Sequence, residues 1–298
     1  MKRTILVLTM VLISACMFAQ KVEVVNGDTL NKTDLKGMKT GKWKEVIGSL
    51  TFEGNYVNNM KDGLWVAHHS NGMLGQVENY VNGVKHGIFA TIDQNGYFVE
   101  EKYYVKNVQD GPHKTYTAGG RLNNEVTYKN GVLHGPRKIF YDNGKPQEEA
   151  LFMGGQRSGS TKWFDYAGNL ACEYTYKNGL FEGPQKTYDS KNGIQLTEKY
   201  FVNNLATGDY YEYFPIKSEK PIVKVKGQFA NDKETGDWIE FTEDGQQSKI
   251  TKYKEGKVVK VTNIKVKPVV KPVTTTDPVK TTTEPVKTDA KKPIENKK

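Results

Sequence analysis

Three octapeptides, YVNGVKHG at 80–87, YKNGVLHG at 128–135 and YKNGLFEG at 176–183, recur at intervals of 48 residues. Aligned on the closing glycine, they belong to a longer series: Gly41, Gly63, Gly87, Gly111, Gly135, Gly159, Gly183, Gly208 and Gly236. The spacings are 22, 24, 24, 24, 24, 24, 25 and 28, giving nine units and a partial tenth. A period in this range means that each unit is one supersecondary element that buries its apolar side only against its neighbours.

The unit reads as a β-hairpin. Seven residues before each glycine of the series, from the second onward, stands an aromatic: Tyr56, Tyr80, Tyr104, Tyr128, Phe152, Tyr176, Phe201 and Phe229, with Tyr253 continuing the row. Nine residues after it comes a turn signal, as in Asn71-Gly72, Asn95-Gly96, Gly119-Gly120 and Asn143-Gly144, and this pair is expected to form a type I′ turn with positive φ at both central residues. A second turn follows at Asn82-Gly83, Asn130-Gly131 and Asn178-Gly179. Two turns per unit leave strands of about five to seven residues. Pro112, Pro136 and Pro184 directly follow glycines of the series, where a strand is expected to begin. The fold class is therefore all-β, an elongated antiparallel meander of stacked hairpins, on the order of 90 Å long at about 4.8 Å per strand.

Counting outward from the first turn sets Lys114 opposite Glu125, Lys138 opposite Glu149, Lys162 opposite Glu173, Lys186 opposite Glu198 and Lys44 opposite Glu53. Val66 meets Val77 and Ile239 meets Ile250, while Ala90 with Glu101 and Tyr211 with Lys226 break the rule. Alternation then puts these charges on one face together with Tyr116, Phe140, Phe164, Tyr188, Tyr213 and Phe241. The other face receives Trp65, Phe89, Tyr210, Trp238, the leucines Leu74, Leu122 and Leu170, and the aromatic row. Such a sheet has no thick core, and stacked rings must stabilise it. The 17 Tyr and 12 Phe against 7 Met agree.

The ends differ from the body. Lys2 and Arg3 precede a short apolar run in MKRTILVLTMVLISACMFAQ, the pattern of a removable export leader over residues 1–19. Two processing readings stay open: cleavage after Ala19, or lipidation at Cys16, where ISAC resembles a bacterial lipobox. No transmembrane span is expected in the mature chain. Residues 20–40 form a lead-in, 41–260 the repeats, and 261–298 a Pro, Thr and Lys tail too poor in large apolar residues to order itself. The formal charge of +9 is mostly the ends, since Lys2 and Arg3 give +2 and the tail +5, leaving the body at +2. A near-neutral body argues against a nucleic-acid partner. Beyond Cys16 the sole cysteine is Cys172, so no internal disulfide is expected.

The unit, aromatic-x-Asn-Gly-x-x-x-Gly followed by a mixed aromatic strand and Asn-Gly, resembles the bacterial variant of the MORN repeat over roughly Asp28 to Lys260. The opening DTLNKTDLKGMKTGKW at 28–43 is similar to exported relatives of the YwqK-type antitoxin family. The first resemblance implies an elongated antiparallel sheet that associates with proteins or, in some members, acidic phospholipid. The second implies neutralisation of a toxin by binding.

No catalytic constellation stands out. The glutamates Glu53, Glu101, Glu125, Glu149, Glu173 and Glu198 are one repeat apart, about 10 Å, too far to share an ion, and most face a lysine. His68 and His69 point to opposite faces, and His86 and His134 lie two units apart, so no metal site is expected. No cofactor is expected either. Tyr116, Phe140, Phe164 and Tyr188 are the candidate binding residues, contiguous rings on the charged face. The expectation is a non-enzymatic, exported binding or scaffold protein of the cell envelope, with a protein partner or, alternatively, an envelope glycan or lipid.

Overall fold

The computed structural model describes residues 23–25 and 28–267. The leader with Cys16 and residues 268–298 of the tail lie outside the described residues. Every regular element described is a strand. Glu23–Val25 pairs with Asp28–Leu30 as a small separate hairpin. The remaining strands, from Lys32–Thr33 to Lys257–Asn263, follow in chain order as one antiparallel meander. The last strand pairs with Gln247–Lys254 and the first with Lys39–Ile47, and no ladder joins these two ends. The sheet is open and overruns both expected limits of the repeats.

Most strands span eight or nine residues, longer than the spacing suggested, as in Val108–Tyr116 and Leu122–Lys129. The cause lies in the series glycines, most of which do not end strands but sit inside them, while Gly87 and Gly159 open the strands Gly87–Ile92 and Gly159–Phe164. Gly111 falls within Val108–Tyr116, where Lys102 pairs His113 and Tyr104 pairs Gln109, so that residues 110–112 bulge opposite Tyr103. All nine series glycines have positive φ, from 69° at Gly236 to 117° at Gly111. A bulge of this kind needs a residue in the left-handed region, which glycine enters without steric cost. Pro112 is therefore inside a strand, and its missing N–H falls at the bulge, where the ladder is already interrupted.

The type I′ turn belongs to the other hairpin end. Asn82 and Gly83 have φ of 49° and 78°, and Asn130, Asn178 and their glycines follow suit. At the turn where I′ geometry was expected, only the glycine is left-handed, as at Gly72 (83°), with Asn71 in the ordinary region. There Gly72 N–H donates to His69 O, and His69 N–H donates to Met73 O. This is a wider turn closed by a glycine bulge. The Gly119-Gly120 pair is the exception, with both residues at positive φ.

The register expected from charge holds throughout. Lys114, Lys138, Lys162 and Lys186 oppose Glu125, Glu149, Glu173 and Glu198, and Lys44 opposes Glu53. Val66 opposes Val77 and Ile239 opposes Ile250. One placement fails. Leu74, Leu122 and Leu170 lie opposite His68, Tyr116 and Phe164, on the charged face, because the register shifts by one residue just before each pair. Phe98, at the equivalent position, confirms the swap by packing 5.9 Å from the Tyr116 ring.

The core is the aromatic face itself. Tyr56 meets Trp65 edge to face at 4.9 Å, Phe89 meets Tyr104 at 5.0 Å, and Phe229 meets Trp238 at 5.1 Å. Phe52, Tyr56, Trp65 and Ala67 form its densest cluster, with Trp43, Leu50 and Tyr80 against it. Ring size is matched to vacancy across strands. Trp65 lies over Gly54, where a Cβ would come within 2.2 Å of the indole, and Trp238 lies over Gly227, where it would come within 2.3 Å. Midway along the sheet the volumes are exchanged, with Thr161 and Gln185 flanking Tyr174. Adjacent units are also tied by their turns: Gly83, Gly131 and Gly179 donate to the carbonyls of Lys61, Gln109 and Arg157 in the preceding unit.

Candidate functional site

On the charged face, each ladder lysine between Glu101 and Glu198 has a glutamate on both sides. Lys114 lies between Glu101 and Glu125, Lys138 between Glu125 and Glu149, and Lys186 between Glu173 and Glu198. Charge therefore alternates strand by strand from Glu101 to Glu198. The contacts are loose, 3.6 Å for Lys114–Glu125, 3.5 Å for Lys138–Glu149 and 3.9 Å for Lys186–Glu198. Glu173 instead accepts a hydrogen bond from Ser160 Oγ at 2.6 Å. Such half-exposed pairs contribute little each, on the order of 0.2–1 kcal/mol, but fix the register.

Beside this ladder run the four candidate rings, one per hairpin at equivalent register. Tyr116, Phe140, Phe164 and Tyr188 oppose Leu122, Pro146, Leu170 and Gln195. The sheet does not gather them into one pocket; two strand-to-strand spacings separate each from the next, about 10 Å. All four are half-buried. Tyr116 donates to Glu101 at 2.5 Å; burial first, and then this carboxylate, raise its phenol pKa. Tyr188 is raised by burial and by the charges of Glu173 and Glu198. The Tyr188 end meets the two places where the repeat lengthens: a cleft of about 350 Å³ forms there between Tyr188, Ile194, Ile216 and Pro221.

The aromatic face holds a column that the sequence reading passed over. Two residues before their series glycines stand Lys39, Lys61, Lys85 and Arg157, and their cationic heads lie on the rings. Lys61 Nζ is 4.4 Å from the Trp65 ring and 5.2 Å from Tyr80, and Lys85 Nζ is 4.9 Å from Phe89. Arg157 sits 5.3 Å from Phe152 and 5.4 Å from Trp163 while donating to Glu148 at 2.9 Å. The recurrence of Lys61 and Lys85 at the repeat interval was the signal that could have revealed them. These rings are thus covered on their faces by cations and on their edges by other rings. Towards the C-terminal side a second cleft of about 350 Å³ is lined by Tyr174, Phe181, Gln185 and Phe201.

Among the described residues no group of three or more His, Cys, Asp and Glu side chains could hold a metal. His113 bonds Glu100 at 2.9 Å. Burial pushes the Glu100 carboxyl up, but hydrogen bonds from Lys102 and His113 and their charges outweigh it, and its pKa ends below the usual value. Cys172 is half-buried, and burial raises its thiol pKa, so it is not an activated nucleophile. No described helix is long and apolar enough to cross a membrane.

Residues 109–130, 133–153 and 157–178 match the model of the MORN repeat variant. These three hairpins are similar to that repeat. Their starts, 109, 133 and 157, keep the 24-residue phase, and each lies two residues before a series glycine. Repeats of this kind are generally modules that bind proteins or membranes. The matched segments span the middle of the charge ladder and include Tyr116, Phe140 and Phe164, one in each, whereas Tyr188 lies beyond the third. No curated protein matches the chain.

Proposed function

We propose that this is a non-enzymatic, exported repeat protein of the cell envelope whose charged face is an extended binding surface for another protein. The observation that supports this most is the row Tyr116, Phe140, Phe164 and Tyr188, repeated at one register beside an alternating charge ladder. Tyrosine and phenylalanine anchors flanked by satisfied charges suit a protein interface, where rings supply contact area and charges set register. Ring stacking on the opposite face is largely used up by the cations and neighbouring rings. Toxin neutralisation is a special case of the same reading, and the leader-like pattern at 1–19 supports a partner outside the cytoplasm.

The test is capture from the native envelope by the mature chain, followed by affinity measurement with the purified partner. Tyr116→Ser with Phe140→Ser and Phe164→Ser is expected to weaken binding at least a hundredfold while the circular dichroism spectrum stays that of a sheet. Undiminished affinity in that variant sinks the charged-face assignment, and turnover of a substrate by the purified chain sinks the non-enzymatic one. Recognition of an envelope glycan is favoured by one observation: Gln185 Oε1 is buried without a partner in the cleft with Tyr174, Phe181 and Phe201. A glycan array read with Phe181→Ala as control decides that case.

A further inference from the structure

The two edges of the sheet are finished differently. At the N-terminal edge the chain folds back on itself: Asn31 N–H donates to Lys42 O at 2.9 Å, and Lys44 N–H donates to Asn31 Oδ1 at 2.9 Å. Trp43 Nε1 reaches Lys32 O at 3.1 Å, so this edge is blunted. At the C-terminal edge, Lys257–Asn263 pairs on one side only among the described residues, and all seven of its residues are exposed.

The charge pattern also breaks there. Along the ladder from Glu101 to Glu198 each lysine meets a glutamate, but in the last hairpin Lys252 opposes Lys260 and Lys254 opposes Lys257. The extra residue Val259 brings Lys257 and Lys260 onto one face despite their spacing of three. None of these four lysines forms an ion pair among the described residues. Like charges placed opposite one another are destabilising, so this hairpin holds positive charge that the ladder elsewhere would neutralise. On the reverse side, Val258 and Val261 lie opposite Tyr253 and Thr251 and are 55% and 50% exposed, extending the apolar row to the open edge.

We propose that the Lys257–Asn263 edge binds an extended acidic segment of a partner protein as one further antiparallel strand. Backbone hydrogen bonds to the free edge would supply affinity. Carboxylates on one side of the incoming strand would sit by Lys257 and Lys260, and apolar residues on the other by Val258 and Val261. A second copy of this chain is the wrong occupant, because antiparallel self-pairing centred on Lys260 sets lysine against lysine. The chain's own tail is equally poor: Pro268, Pro272, Pro278, Pro285 and Pro293 interrupt it, and proline cannot donate to a ladder. The site is separate from the charged-face rings and stands or falls without them.

The probe is a fluorescent seven-residue peptide alternating Glu with Val, titrated into the mature full-length chain, with a Lys-Val peptide as counterpart. The Glu peptide is expected to bind and the Lys peptide not. Lys257→Glu with Lys260→Glu, which restores opposite charges within the hairpin and so leaves it folded, is expected to weaken the Glu peptide at least tenfold and to gain the Lys peptide. Val261→Pro is expected to lose both. Absence of Glu-peptide binding to the native chain, indifference to the charge reversal, or a concentration-dependent dimer abolished by Val261→Pro would each overturn the proposal.

Discussion

The two faces of this sheet are built from the same strands yet held by different physics. On the aromatic face, rings fill vacancies left by glycines and small residues, and the interactions are short, buried and specific in shape. On the charged face, side chains of opposite sign stand side by side, half in water and loosely placed. Shape complementarity should therefore decide stability on the first face and register on the second.

The largest expected effect is on the aromatic face. Trp65 is fully buried, and its indole N–H donates to Asn55 O at 3.0 Å. Trp65→Ala should cost about 3–5 kcal/mol, read as a lowered midpoint in urea denaturation. Trp238→Ala should cost less, because that ring is only partly buried and its N–H has no partner. Equal losses at the two tryptophans would show that burial is not what separates them.

Next comes the vacancy beneath the ring. Gly54→Ala drives a methyl into the indole of Trp65 and should cost about 1–3 kcal/mol. Combining it with Trp65→Leu should return part of that loss, a coupling of roughly 0.5–3 kcal/mol between residues in contact. Strict additivity in the double-mutant cycle would mean that ring and glycine are not matched as described.

The same contrast explains what could be read before the structure. Register was legible because Lys and Glu recur at fixed distances from the turns, and a one-residue slip would put each of them on the wrong face. The hairpin architecture was legible for the same reason. The turn geometries were not, since Asn-Gly at both ends of a hairpin looks alike, and only the glycine bulge at Gly72 distinguishes the wide turn from the I′ turn at Asn82-Gly83. A bulge is invisible to strict alternation, so Leu122 was assigned the wrong face. The candidate rings were legible only as a row: sequence gives position and face, while the cations lying over Trp65 and Phe89, which leave the other row the freer one, depend on side-chain packing.

A smaller effect tests the charged face. Lys138→Glu places three carboxylates in a row with Glu125 and Glu149, and should cost about 1 kcal/mol or less at low salt. Because these groups are half-exposed, raising ionic strength should shrink the difference. A loss comparable to Trp65→Ala, or one indifferent to salt, would erase the distinction between the faces.

The smallest effect appears only in alkali. Tyr213 stands on the charged face with its hydroxyl 3.4 Å from Glu198 Oε2, and burial first, then the Glu198 carboxylate, lift its pKa from 10.0 to about 12. A raised pKa means that the folded state holds this proton more tightly than the unfolded chain does. The corresponding stability is complete below pH 10 and is lost as pH rises towards 12. Tyr213→Phe removes the titrating group, so its stability should fall less steeply over that window than that of the native chain. Tyrosinate absorbance followed alongside denaturation checks it: superimposable stability curves in the two proteins would show that the phenol near Glu198 titrates alike in the folded and unfolded states, and that the charged face holds its rings no more firmly than water does.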